Sequence, residues 1–314
     1  MAFNQELWTK DFAANLYDEK DFYRIGKNWS QYVLGAVTHI PQAVSDISPV
    51  KVTGATSYPV ATQQVTYDEL TFNNEMLAAP PRFVSNINAS EASFDTRSAE
   101  MEDMVGYLRQ AISMEIMDKW TPLATNSVIR TTGTATRENV YGQAAMKAIT
   151  YQDVLDARSK LIRSSRNVDT SKMFLIVDPI MYSDIVAMGE FKQADVLTVQ
   201  TVVNGFVGEI AGIKVIQRTL GNPITSLLAK PATLDYSDGY DATHFSAALL
   251  VDASKVGYAL GTMENGEINM GFEPYATGYY NDVLQAHTRV GASTLYKEDA
   301  GNVIKGVVSI IETA

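Results

Sequence analysis

The chain predicts an α+β fold, in which long strands and one long helix occur without a regular strand–helix alternation. Three stretches carry that prediction. Residues 282–296 alternate apolar and polar side chains through Leu284, Ala286, Thr288, Val290 and Ala292, the period of a strand with one face buried. Residues 97–120 place Met101, Met104, Val105, Leu108, Ala111, Ile112 and Ile116 at the three-and-four spacing of one helix face. Met173-Phe-Leu-Ile-Val177 is a continuous apolar run followed by Asp178-Pro179, so it reads as a buried strand feeding a helix.

Taken in order, residues 1–33 carry Trp8, Phe12, Leu16, Tyr17, Phe22, Tyr23, Ile25, Trp29 and Tyr32 among many charges. So much aromatic surface does not stay in water, and the segment either packs on its own domain as a helix or lies as an arm across another copy. Residues 35–41 read as a short strand stopped by Pro41, with Val37 and His39 on one side. Residues 42–75 contain Pro49, Gly54 and Pro59 and are rich in Thr, Ser and Gln, with strand-like stretches at 50–53 and 64–72. Such a segment has too little apolar surface for a core and is either an exposed hairpin insertion or an extended loop. Residues 76–87 form the returning strand, where Pro80 and Pro81 force an edge or a bend.

The helix at 97–120 is capped by Asp95 or Thr96 and stopped by Pro122. Its roughly 24 residues span about 36 Å, the dimension of a structural rod. Met101, Met104, Met114 and Met117 lie at helical spacing and serve as core fillers in preference to a soft-metal groove. Residues 127–141 form a polar, Thr-rich loop, and Thr150 caps a second helix running through Val154, Leu155, Ala157, Leu161 and Ile162. After Asp178-Pro179 a third helix carries Ile180, Tyr182, Ile185 and Met188 and ends at Gly189. An acid after a buried strand can be catalytic, but the N-cap position already accounts for Asp178. Gly205, Gly208 and Gly212 do not have the spacing of a dinucleotide or phosphate loop and precede a strand instead of following one. A loop followed by a strand at 212–216 is expected there. The hexad Lys297-Glu-Asp-Ala-Gly-Asn302 reads as a hairpin connection joining 282–296 to 303–311 as a terminal strand pair.

With 314 residues, 46% hydrophobic and 19% charged, the chain can bury one large core or two modest ones. A net charge of −11 and a pI near 4.8 argue against a dedicated nucleic-acid binder, which needs clustered Lys and Arg. No run approaches the roughly 18 apolar residues of a membrane span, and the Met-Ala-Phe-Asn-Gln start has no secretory character, so synthesis in the cytosol is expected. Zero cysteines exclude disulfides, thiolate catalysis and cysteine-based metal sites. His39, His244 and His287 lack paired ligand spacing, and 235–241 lacks the alternating acids and terminal Glu of a calcium loop. No Gly-x-Ser-x-Gly elbow is present. No cofactor, metal or catalytic residue is therefore expected.

The entry Tyr279-Tyr-Asn-Asp282 with its long strand and turn, the Met173–Val177 strand with Asp178-Pro179 and Tyr182 after it, and Gly212-Ile-Lys-Val-Ile216 carry a family resemblance. The chain resembles tailed-phage major capsid proteins of the Hong Kong 97 fold. No single motif is diagnostic; the order of elements is. The resemblance implies an N-terminal arm (1–35), a strand and extended E-loop hairpin (36–88), a P-domain with a spine helix (89–150), a central α/β A-domain (151–256) and a return to the P-domain with the terminal strand pair (257–314). Met101, Met104, Leu108, Ile112 and Ile116 would be the core of the spine helix. Trp8, Phe12, Tyr23, Trp29, Lys51, Tyr58 and Tyr67 would be intersubunit contacts, the arm being ordered mainly by neighbours. Some relatives cross-link Lys to Asn; Lys51 lies in the loop, but no motif fixes partners for it.

What the resemblance implies for function is a coat protein that self-assembles through pentamers and hexamers into an icosahedral head shell around double-stranded DNA, in the virion after assembly in host cytoplasm. Portal, scaffolding and decoration proteins are implied partners, DNA is enclosed without sequence-specific contact, and no membrane is involved. An encapsulin-like compartment is the alternative within the same fold, and an acidic α/β enzyme or binding protein the alternative from another class.

Overall fold

The computed structural model describes residues 22–33, 36–43, 67–85, 96–121, 127–138, 145–164, 168–188, 192–193, 206–217, 247–261, 269–273, 281–294 and 306–312. A 3-10 turn at Phe22–Ile25 leads to β1 (Lys27–Asn28) and a second 3-10 turn at Ser30–Tyr32, then β2 (Val37–Ala43), β3 (Tyr67–Asn73) and β4 (Glu75–Ser85). The long helix α1 (Thr96–Trp120) is followed by β5 (Val128–Arg130), β6 (Ala135–Glu138), β7 (Ala145–Lys147) and helix α2 (Tyr151–Ser164). Next come β8 (Met173–Val177), helix α3 (Pro179–Ala187), β9 (Lys192–Gln193), β10 (Phe206–Ile210) and β11 (Ile213–Gln217). The chain ends with β12 (Ala247–Asp252), β13 (Val256–Leu260), β14 (Asn269–Glu273), β15 (Asn281–Thr294) and β16 (Val307–Ile311). Long strands with segregated helices make this α+β, as expected.

Two larger sheets organise the described residues. One is seven-stranded, in the order β5-β16-β12-β8-β11-β10-β9. Strands β12 and β16 are buried along their whole length and β8 at all but Phe174, because each face is covered by a different layer. Leu175, Val177, Val215, Ala248, Leu250, Val308 and Ile310 point into one cluster with Val154, Ala157 and Leu161 of α2 and Met181 and Ile185 of α3. The alternate residues Ile176, Leu249, Val251, Val307 and Ile311 join a second cluster with α1 and the other large sheet. That sheet runs β1-β13-β15-β14, and β4 adds to the opposite edge of β15.

The 14 residues of β15 bridge three partners: β14 beside its first half, β13 beside its second, and β4 along the other edge. Its expected alternation holds, with Leu284, Ala286, Thr288, Val290 and Ala292 buried. Where the register slips, Leu284 faces Arg82 and Ala286 faces Ala79, so Pro80 and Pro81 together oppose Gln285. The two prolines thus sit in a bulge, where their missing N–H groups break no ladder bond.

Several expectations are corrected. The terminal strand pair does not form: β15 belongs to the five-stranded sheet, while β16 pairs antiparallel with β12 and parallel with β5 in the other. The physical reason is that every residue of Val307–Ile311 is buried, and a terminal two-stranded ribbon has no layers to cover both faces. The Thr-rich stretch 127–141, expected as a loop, contributes β5 and β6, because β16 offers an open edge to Val128–Arg130. Residues 206–210, also expected as loop, form β10 in a tight hairpin with β11 through Ala211 and Gly212, both at positive φ. Pro41 does not stop β2, which runs on to Ala43; a two-stranded sheet leaves each strand one open edge, where a missing N–H is harmless.

Candidate assembly surfaces

The sequence-predicted contacts divide sharply by position. Trp8, Phe12, Lys51 and Tyr58 lie outside the described residues. Tyr67 is the first residue of β3, at the far end of the two-stranded sheet, in register with Ala43. Tyr23 and Trp29, expected as contacts to neighbours, are instead buried in their own subunit at 5% and 7% exposure. This is a correction with a clear cause. Tyr23 meets Tyr258 edge-on at 5.0 Å and Phe22 at 6.0 Å, while Phe22 packs edge-on against Trp120 at 5.8 Å. Trp29 donates its backbone N–H to the Tyr258 carbonyl, and its ring packs on Phe72 at 5.8 Å. Intramolecular aromatic partners satisfy these side chains before any neighbour can.

Met104, Leu108, Ile112 and Ile116 are at most 2% exposed, and Met101 packs half-buried against the same cluster. Burial goes further than a single stripe, since all residues from Ala111 to Met117 are enclosed. They include Glu115, an acid the periodicity argument passes over. Lys119, one turn on, places its ammonium 3.1 Å from Glu115 and 2.6 Å from Glu75 at the start of β4. Burial pulls the Lys119 pKa down, but the hydrogen bonds and charges of the two carboxylates outweigh it, and the net displacement is upward.

The sheet β2–β3 stands apart from the two large sheets and presents an exposed His39–Glu69 contact at 2.7 Å. One face of its described residues is buried, with Leu70 and Phe72 each 8% exposed. Thr38, 0% exposed, and Asn74, 6% exposed, hydrogen-bond through their side chains at 2.8 Å, and Asn74 donates its N–H to the Ala36 carbonyl.

Apolar residues that sequence reasoning passed over lie on the surface instead. Phe83 is 65% exposed and Met76 59% exposed on β4, and Tyr107 is 46% exposed on α1. Strand alternation gives the signal for Met76, since Leu77 and Ala79 face inward; it gives none for Phe83, because the bulge at Pro80 and Pro81 shifts the parity and turns Val84 inward and Phe83 outward. Among the described residues no group of three His, Asp or Glu gathers in ligand geometry, and no helix is long and apolar enough to cross a membrane. His39 and His287 lie on different sheets.

No protein-family model and no curated protein matches the sequence. Solved structures do match. A chain from the capsid of Ralstonia phage GP4 superposes with a TM-score of 0.67 at 11% identity, covering 94% of this chain and 91% of that one. A chain from the capsid of cyanophage P-SCSP1u gives a TM-score of 0.59 at 13% identity, covering 91% and 86%. One from the capsid of a native GTA particle gives 0.59 at 12% identity, covering 94% and 90%. Similarity at this level of identity is a matter of architecture, and it extends over nearly the whole of both partners. The chain has the fold of phage capsid proteins.

Proposed function

We propose that this chain is a major capsid protein that self-associates through pentamers and hexamers and closes an icosahedral shell around double-stranded DNA. The observation that supports this reading most is the breadth of the match: 94% of this chain superposes on 91% of a phage capsid chain, so the likeness takes in the helices and both large sheets together. Fold alone does not fix function. The surface adds to it, because exposed Met76, Phe83 and Tyr107 are apolar groups awaiting protein contact. Head-to-tail contacts of one patch with a different patch form rings when the rotation closes, which is the requirement for pentamers and hexamers.

In this reading α1 is the spine helix of a P-domain, β2–β3 is the base of an E-loop hairpin, and the seven-stranded sheet with α2 and α3 is the A-domain. Trp8, Phe12, Lys51, Tyr58 and Tyr67 are the intersubunit contacts kept from the sequence argument. The net charge of −11 suits a shell that encloses DNA without gripping it. Portal, scaffolding and decoration proteins are the further partners, and the virion head is the destination after assembly in the host cytoplasm. The role is structural, with no catalytic step. Sedimentation velocity of the purified chain at rising concentration tests it: species at five and six times the monomer mass are expected. A single monomer boundary at every concentration would overturn it.

A further inference from the structure

The two-stranded sheet β2–β3 shares no ladder with either large sheet, so apart from the passage of the chain from β3 into β4 its attachment rests on a few side chains. One attachment is the Asn74–Thr38 pair at the point where β3 passes into β4. Gly291 of β15 lies directly beneath it: a Cβ there would collide with the Asn74 Oδ1 and come within 2.7 Å of the Phe72 ring. The other attachment is a small cluster of Trp29, Val33, Phe72 and Ala259, with Ile40 packed against it, separate from the two large clusters.

Trp29 is the middle piece. Its segment is tied to β13 by backbone: Lys27 and Asn28 pair in parallel with Gly257 and Tyr258, Trp29 N–H reaches the Tyr258 carbonyl at 2.8 Å, and the Leu260 N–H donates to Ser30 Oγ at 3.0 Å. Against Gly257 the indole has no slack, since a Cβ there would stand 2.5 Å from the ring. The same ring meets Phe72 of β3 at 5.8 Å. A ring packed against both a backbone and a side chain couples the position of one to the other, because close-packed interiors do not absorb displacement.

We propose that residues 27–33 act as a clamp that sets the pose of the β2–β3 hairpin, with Trp29 coupling the position of the N-terminal segment to Phe72 and Ile40. Shifting that segment releases the hairpin while leaving the two large clusters in place. The cluster that holds the hairpin is small, so its opening is a local event of low free energy, distinct from global unfolding. This coupling is a property of one subunit and stands or falls independently of shell formation.

Hydrogen exchange of the full chain, read peptide by peptide, tests it with Gly257→Ala. That change lies on β13, and the atoms nearest its new methyl group are those of the Trp29 ring. Exchange within 36–43 and 67–74 should accelerate several-fold, while 173–177 and 247–251 keep their protection. Faster exchange confined to 22–33, or none anywhere, would show that the hairpin does not follow the indole and would overturn the proposal. Should Gly257→Ala fail to fold, Trp29→Leu shortens the coupling piece itself and must give the same pattern. Global loss of protection in both variants would also overturn it, because the small cluster would then be part of one cooperative core.

Discussion

Asp153 shows how much a single residue organises. It is 1% exposed, and its carboxylate accepts the Thr132 hydroxyl at 2.7 Å, the Thr132 N–H at 3.2 Å and the Thr150 N–H at 2.9 Å. Thr150 Oγ1 in turn accepts the Asp153 N–H, so the pair forms a reciprocal cap at the start of α2 and fastens the 131–134 turn to it. The cap residue Thr150 was legible in the sequence; its partner across the turn was not, because residues 21 apart meet only once β5 has joined the sheet. Asp153→Ala removes three hydrogen bonds to a carboxylate, made by the part-buried donors of Thr132 and Thr150, and should cost about 2 kcal/mol, read as a lower urea midpoint at unchanged slope. Lys119 supplies a pH test. Its folded pKa is raised above the ordinary 10.5, so its stabilisation is fully present below that value and is lost as pH rises through the folded value. Lys119→Met should lower stability by about 1 kcal/mol at neutral pH, and the gap to the parent should narrow above the ordinary lysine pKa. A gap that widens in alkali would refute the assignment.

At the scale of elements, helix α1 is the best-read part of the chain, since three-and-four periodicity and a following proline fix both its buried face and its end at Trp120. What periodicity could not give is the enclosure of Ala111 to Met117 on all sides, which depends on neighbours remote in sequence. Leu108→Asp puts an unpaired charge where exposure is 1% and should prevent soluble folding, at a cost of several kcal/mol. An unchanged melting temperature would sink the assignment. The hairpin makes the opposite prediction. Its described strands pack on a small cluster separate from the two large ones, so replacing 51–64 by a Gly-Ser turn should leave a folded subunit whose assembly is lost. Regular particles from the shortened chain would make the loop ornamental. Tyr23 and Trp29 mark the limit of such reasoning: a terminal aromatic load says that a partner exists, and only the fold says that the partner is Tyr258, Phe22 and Phe72 of the same chain.

At the scale of the whole molecule, the sequence order of elements was readable and their pairing was not. The 282–296 alternation identified a half-buried strand, but nothing local says that it has β4, β13 and β14 as partners. The run Val307–Ile311 is apolar on both faces, a pattern that states burial without naming neighbours, and the turn-like hexad before it suggested the wrong one. In the fold, β16 returns to the seven-stranded sheet, so the C-terminal residues close the core shared by both sheets through Val307 and Ile311. A subunit closed in this way leaves Met76, Phe83 and Tyr107 facing outward as apolar surface, which in the proposed capsid role makes the shell contacts. Negative-stain electron microscopy of the full chain, expressed and concentrated, tests that assignment most directly. Closed isometric particles with five- and six-membered rings in their walls are expected. A field of dispersed monomers that stays unchanged at high concentration would contradict it.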